Sequence, residues 1–200
     1  WRKKFKKKGR TISLNTDLSF TDREENAFLL AKNSFYDQTG LLIRLDNIDQ
    51  RKVNKQTGSS INTTASCTEP LWKNTFLILN YKLSINTNDA ERNTFNKSSN
   101  GKYDVLSDSL SNHFIFNTIG HTGAFNIRYN VKKFNFAIGT GLGTVNYRMT
   151  DVRKGNNQDI NFNNFLPAVS LNFTPKQQRR FSFSYNGSTK NPTLTQIQPL

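Results

Sequence analysis

From Thr11 to Phe20 the side chains change character at every step: Ile12, Leu14, Leu18 and Phe20 alternate with Ser13, Asn15, Asp17 and Ser19. A period of two is the signature of a β-strand with one apolar and one polar side. The pattern returns through the chain. Leu77, Leu79, Tyr81, Leu83 and Ile85 oppose Asn80, Lys82 and Ser84, and Phe125, Ile127, Tyr129 and Val131 oppose Thr122, Asn126, Arg128 and Asn130. Two kinds of sheet read this way. In a soluble sandwich the apolar side packs on a protein core, and in a membrane barrel it meets lipid while the polar side lines the lumen. What covers the apolar side decides every later inference.

Composition favours the barrel. Only 34% of the 200 residues are hydrophobic, and the mean hydropathy is −0.67. That is thin for a packed core but sufficient for a narrow lipid-facing band with polar loops. Disorder would also explain polarity, yet 12% aromatic residues with 16 Phe argue against it. No run of about 18 apolar residues is present, so no helix of this sequence reads as membrane-spanning. The start, Trp1-Arg2-Lys3-Lys4-Phe5, lacks the apolar core of a signal peptide. The chain, residues 1–200, reads as an internal fragment of a barrel domain, and any targeting segment is expected upstream of it.

The net charge of +14 concentrates in Arg2 to Arg10, Lys132–Lys133 and Lys176 to Arg180. Each cluster falls between alternating segments and so at a turn. Such a rim suits anionic membrane head groups as well as phosphodiesters, and charge alone does not separate the two.

The strands expected from periodicity are Thr11–Phe20, continuing through Ala27–Tyr36 beyond an acidic interruption at Asp22-Arg23-Glu24-Glu25, then Leu42–Lys55 into Ser60–Thr68. Thr75–Ile85, Ile119–Val131, Phe134–Tyr147, Phe165–Thr174 and a segment from Phe181 to Tyr185 follow. Gln38-Thr39-Gly40 is a loop tip, and Glu69-Pro70-Leu71-Trp72-Lys73-Asn74 a turn, because proline removes a ladder donor. Long polar loops are expected at Asn86–Ser111, with Ser99-Asn100-Gly101 at the tip, and at Met149–Asp159, and a turn at Pro175–Arg179. The result is about seven antiparallel strands with short basic turns at one end and long polar loops at the other, the asymmetry of an up-and-down transmembrane barrel.

Motifs for chemistry are weak. Gly139-Thr140-Gly141-Leu142-Gly143 lacks the following helix that a phosphate-cradling loop requires, so the glycines read as room for packing or strand bending. His113 and His121 lack metal-ligand spacing, and Cys67 is the single cysteine. His121 is the one awkward polar residue on the apolar side. Pairs such as Asp46 with Asp49 or Asp104 with Asp108 read as solvated loop charges. No catalytic, cofactor-binding or metal-ligating residue is assigned; the chain is expected to be no enzyme and to need no cofactor, and its ligand-binding residues stay open. Phe5, Trp72, Phe134, Phe173 and Phe181 lie beside the basic turns, as an interfacial aromatic girdle would.

Several segments, in order, carry a resemblance: Phe5-Lys6-Lys7-Lys8-Gly9-Arg10-Thr11, Thr68-Glu69-Pro70-Leu71, Asp108-Ser109-Leu110-Ser111-Asn112, Asn164-Phe165-Leu166-Pro167, and Asn191-Pro192 with Gln196-Ile197-Gln198-Pro199. Together they resemble the outer-membrane β-barrel family related to TonB-dependent receptors. Trp72 stands where that pattern often has glycine. The resemblance implies a barrel of about 22 strands, a preceding plug domain and often a small carboxypeptidase-regulatory-like domain. The implied function is receptor-type uptake of a scarce ligand across the cell outer membrane. The implied partners are outer-membrane lipid and lipopolysaccharide, the remaining strands and plug of the full protein, and the energy-coupling TonB system reached through that plug. Nucleic acid is not among them. The competing readings are a soluble basic β-domain that binds nucleic acid or polyanions, and a structural or adhesive barrel that does not transport.

Overall fold

The computed structural model describes residues 1–176 and 179–189. It is one antiparallel sheet of nine strands: β1 (Arg2–Lys4), β2 (Thr11–Tyr36), β3 (Leu42–Trp72), β4 (Thr75–Lys97), β5 (Tyr103–Leu106), β6 (Asn112–Val131), β7 (Phe134–Asp151), β8 (Asn156–Lys176) and β9 (Arg179–Asn186). Eight follow one another across the sheet in chain order, and β5 pairs with β4 above the point where β6 begins. The sheet is open, with β1 and β9 at its edges. Among the described residues the one other element is a 3₁₀ turn at Asp108–Leu110.

Register aligns the apolar sides of all the strands. Leu14, Ala65, Tyr81, Gly123, Leu142 and Phe165 form one continuous row across β2 to β8, and Val131, Phe134, Phe173 and Phe181 form another near the turns. Neither a helix nor a second sheet covers these rows among the described residues. Leu142 is 67% exposed, Phe165 65% and Phe181 63%, whereas Phe114 and Phe116 on the opposite side are 6%. The apolar side is convex and bare.

The band of apolar residues also climbs. On β8 it runs from Phe165 to Phe173 and on β2 from Ile12 to Phe20, a displacement of six residues relative to the hydrogen-bonded register. Six residues are about 20 Å of strand, and the five strand spacings between β2 and β8 are about 24 Å. A band level with the membrane therefore requires strands inclined by about 40°, within the range of closed barrels. Sequence and register fix the tilt together.

Several strands exceed their expected lengths. β2 passes without a break through Asp22–Glu25, with Glu24 4.0 Å from Lys55 on β3 and Arg23 3.0 Å from Glu25. The expected loop at Asn86–Ser111 shrinks to residues 98–111 because β4 continues to Lys97, and β6 already starts at Asn112. The expected loop at Met149–Asp159 is a turn at residues 152–155. Above the bilayer the outer side of these hairpins meets water, so the apolar-outside period that marks a lipid-facing strand ends while the ladder persists. The count rises from about seven to nine because β1 and β5 are too short and too charged or irregular to show a period.

At the other end the turns are tight. β3 extends to Trp72, so Pro70 lies inside a strand end and not in the turn; the turn is Lys73–Asn74, with Asn74 at a φ of 63°. Asn tolerates that left-handed conformation better than other non-glycine residues. A register shift between Pro70 and Trp72 accommodates the missing N–H and changes the phase of the strand, which places Trp72 in register with Thr75 on the convex side. Lys132–Lys133 is likewise a two-residue turn. The turn expected at Pro175–Arg179 has its centre, residues 177–178, outside the described residues, as are Asn191-Pro192 and Gln196 to Pro199.

The three glycines of Gly139-Thr140-Gly141-Leu142-Gly143 remain within β7, as the sequence reading expects, all on the concave side. A Cβ on Gly139 would run into the Phe125 carbonyl and the Asn126 side chain, and one on Gly141 would stand 3.1 Å from the Ala124 Cβ. These positions let β6 and β7 curl tightly. Gly139→Ala should therefore lower the stability of the full protein by about 1–3 kcal/mol. Gly123→Ala, on the convex side with open space around it, should change it little; urea unfolding from lipid vesicles measures both.

Leu79→Arg or Ile127→Arg places a charge in the convex band and should cost about 2–4 kcal/mol in membrane assembly. Ser84→Arg on the concave side of β4 should be tolerated better, and heat-modifiable gel mobility reads the difference. Asn126→Arg is a poorer control than the alternation alone suggests, because Asn126 lies against Gly139.

Candidate ligand-facing surfaces

The concave side of the lower and middle sheet is polar and hydrogen-bonded across strands. Ser66 Oγ donates to Asn80 Oδ1 at 2.7 Å, Ser84 Oγ to Asn62 Oδ1 at 2.8 Å, and Asn62 itself lies in register with Asp17. The alternation read from sequence holds here except at Phe76 and Ile78 on β4 and Leu166 on β8, apolar residues at concave positions. His121, the exception on the convex side, is satisfied there: its Nδ1 and the Tyr81 hydroxyl are 2.7 Å apart.

Higher up, the polarity of the wall inverts. On β6 the apolar residues lie at odd positions from Ile119 to Val131 and then at even ones as well (Phe114 and Phe116, with Ile115 between them), and on β7 they change from even positions (Phe134 to Leu142) to odd ones (Val145, Tyr147, Met149). All five of the shifted residues are buried on the concave side. The Phe114 and Phe116 rings lie 6.1 Å apart, and Tyr147 meets Phe162 edge to face at 5.7 Å. The convex side at the same height carries Arg148 and Asp159, joined at 2.9 Å. Lipid no longer covers the outside at this level, so apolar side chains turn inward. The phase inversion was present in the sequence and is the signal by which this inner cluster could have been found.

A cavity of about 590 Å³ opens at this upper mouth, lined by Asp108, Ser109, Ser111, Asn112, Phe114, Asp151, Arg153 and Lys154. Its walls are held firmly. The Thr94 N–H donates to Ser111 Oγ at 2.9 Å and the Thr94 hydroxyl donates to the Leu110 carbonyl at 3.0 Å. Arg153 donates to Asn93 at 2.6 Å and to Asp108 at 3.4 Å, while Asp151 accepts the backbone N–H groups of Arg153 and Lys154, each at 3.1 Å. Charged and neutral hydrogen-bonding groups over a phenyl floor suit a polar solute.

The longest loop is tied down by one carboxylate. Asp49 accepts the Tyr103 hydroxyl at 2.7 Å and pairs with the Lys97 ammonium at 2.9 Å, far above the apolar band. Those two hydrogen bonds hold Asp49 below its ordinary carboxylate value, Tyr103 contributing most. The carboxylate pairs considered from sequence are not assembled as acid and base: Asp46 pairs with Arg44 at 2.9 Å, Asp104 accepts from Asn100 at 3.5 Å, and Asp49 and Asp108 have the partners just named. Among the described residues no group of three or more His, Cys, Asp or Glu is placed to hold a metal ion.

The turn end has the opposite character. Segments 2–10, 73, 128–133 and 176–180 hold fourteen of the 28 Lys and Arg and no acidic residue, and Glu69 is the one carboxylate beside them. Its oxygens bind Lys7 Nζ at 2.6 Å and Arg10 Nε at 2.6 Å. Phe134, Phe173 and Phe181 form one convex row above the turns, with the Phe173 and Phe181 rings 6.4 Å apart, and Trp72 is 73% exposed. Phe5 departs from the expected girdle and lines a concave pocket instead.

A tilted antiparallel wall with a bare apolar outside, a polar inside, short turns at one end and long hairpins at the other is the wall of an outer-membrane β-barrel. The sequence model of the Outer membrane protein beta-barrel family matches residues 3–200, and the chain belongs to that family. Ten chains among solved structures match, including a crystal structure of the ferric citrate transporter FecA in the unliganded form, with 10% identity and a TM-score of 0.55. That match covers 94% of this chain and 28% of the transporter, so the present chain spans little more than a quarter of that molecule. At this identity the likeness establishes the fold. No curated protein matches the sequence.

Because Asp49 is held below its ordinary value, its tether is fully formed above pH about 4. It is lost as pH falls through the lowered value. Hydrogen exchange across residues 98–111 should accelerate in acid and, at neutral pH, in Asp49→Asn.

Proposed function

We propose that the full protein is a receptor-type transporter that takes up a scarce polar ligand across the outer membrane, with no enzymatic step in this chain. The observation that carries the reading is the built cavity at the upper mouth, where the connections at 107–111 and 152–155 meet above the start of β6 and are locked by Thr94, Ser111 and Arg153. Rigid, hydrogen-bonded walls suit selective capture more than loose adhesion, since a preorganised site loses less entropy when it binds. The polar concave side below is suited to enclose a plug, and the open edges at β1 and β9 call for further strands. Energy for release would come through the plug from the TonB system. The family and fold likenesses support the barrel role, and the named transporter supports uptake by analogy of fold.

Uptake of candidate ligands by cells with and without the full gene tests this directly. Active uptake that needs the gene and stops when the proton-motive force is dissipated is expected. Passive leakage, or unchanged uptake without the gene for every ligand class, would favour a structural barrel. Arg153→Ala should weaken ligand capture about tenfold or more, as expected for loss of a charged hydrogen-bonding group, with membrane assembly intact by gel mobility.

A further inference from the structure

The hairpin turn at residues 5–10 folds over the concave side of β3 and β4 until Gly9 meets Phe76. Gly9 has a φ of +90°, and a Cβ there would stand 2.9 Å from the phenyl edge. Beside it is a pocket of about 530 Å³ with Phe5, Phe76 and Ile78 as apolar lining and Arg2, Lys4, Lys8 and Arg128 as its cations. Register places Arg2 opposite Ser13 and Lys4 opposite Thr11, the polar phase of β2, so both belong to the concave side.

Within this chain the charge of the pocket is not balanced. Arg10 also lines it, but its guanidinium and the Lys7 ammonium are engaged by Glu69. All 14 acidic residues of the chain lie among the described residues, and none forms an ion pair with Arg2, Lys4, Lys8 or Arg128. A concave wall of low polarizability concentrates such a field and draws counter-ions into it.

We propose that this turn-end pocket binds a soluble polyanion carrying two or more phosphate or carboxylate groups. Its cations come from β1, the first turn and β6, with β2, β3 and β4 between, so one phosphate cannot reach them all. Two or more linked anionic groups can. The apolar lining suits the skeleton that joins those groups. A lipid head group is disfavoured because the bilayer meets the convex side and the pocket opens on the other. This inference does not depend on uptake, since binding can be measured where no transport occurs.

Calorimetry on the full-length protein in nanodiscs of zwitterionic phosphatidylcholine tests it, with tripolyphosphate and citrate as probes and inorganic phosphate for comparison. Saturable binding is expected for tripolyphosphate and citrate, tighter than for inorganic phosphate and weakening as salt rises. Arg128→Gln combined with Lys8→Gln should weaken it about tenfold or more. Lys133→Gln in the β6–β7 turn should leave it unchanged, and gel mobility confirms that each variant is assembled. Three results would overturn the proposal: no saturable binding of either probe to the wild type, equal loss in Lys133→Gln, or loss of wild-type tripolyphosphate binding when phosphatidylglycerol replaces the zwitterionic lipid, which would assign these cations to head groups. Binding that persists in a protein inactive in uptake would refute the transport reading and leave the pocket standing.

Discussion

The constraint on which the structure depends is that a peptide group inside hydrocarbon has no water to bind. Every N–H and C=O at that depth must find another, and in an extended chain the partner is the neighbouring strand. The ladder from β2 to β8 meets that demand with long uninterrupted register and two-residue turns at residues 73–74 and 132–133. The irregularity at Pro70 falls where β3 leaves the apolar band, at a level where water can serve the displaced groups. Side chains are then free to answer to what lies on each side.

That freedom explains the two phases of the wall. Through the band, apolar side chains point outward and the concave side holds Asn, Ser, Thr and the β7 glycines. Above it, Phe114, Phe116, Val145, Tyr147 and Met149 turn inward while Arg148 and Asp159 face out. One hydrogen-bonded sheet thus carries two polarity patterns, and the level at which they exchange marks where lipid ends. The charge distribution agrees with this axis: the excess of Lys and Arg sits at the turn end, while carboxylates crowd the loop end and stitch it together through Asp49, Asp108 and Asp151.

Legibility in the sequence follows the same boundary. Within the band, lipid on one side and a polar lumen on the other force strict alternation, so the strand cores and their faces could be read residue by residue from Ile12 to Tyr185. Outside the band the outer side is wet and the lipid-facing period ends, which is why the upper part of β4 and the start of β8 passed for loops. Asp22–Glu25 looked like a break for the same reason. Pro70 suggested a turn starting four residues too early, at Glu69 and not Lys73, because a strand end tolerates it through a bulge. The ligand-facing surfaces were less visible still. Their residues come together from β1, β4, β6 and the connections at 107–111 and 152–155, and only register reveals that Arg2 and Arg128, or Asp108 and Arg153, share a pocket. The glycine run was legible because its missing helix ruled out phosphate binding from sequence alone.

The central claim is that lipid covers the convex side of this sheet up to the level where the phase inverts. Spin labels placed singly along β6 of the full protein in bilayers, with Cys67 replaced by serine, test it through relative accessibility to oxygen and to a polar nickel complex. The account predicts oxygen-favoured exposure at residues 119, 123, 125, 127 and 129, low exposure at the even positions between them, and loss of the oxygen signal at 115 and 117. Accessibility without alternation, or with oxygen favouring the even positions, would contradict it.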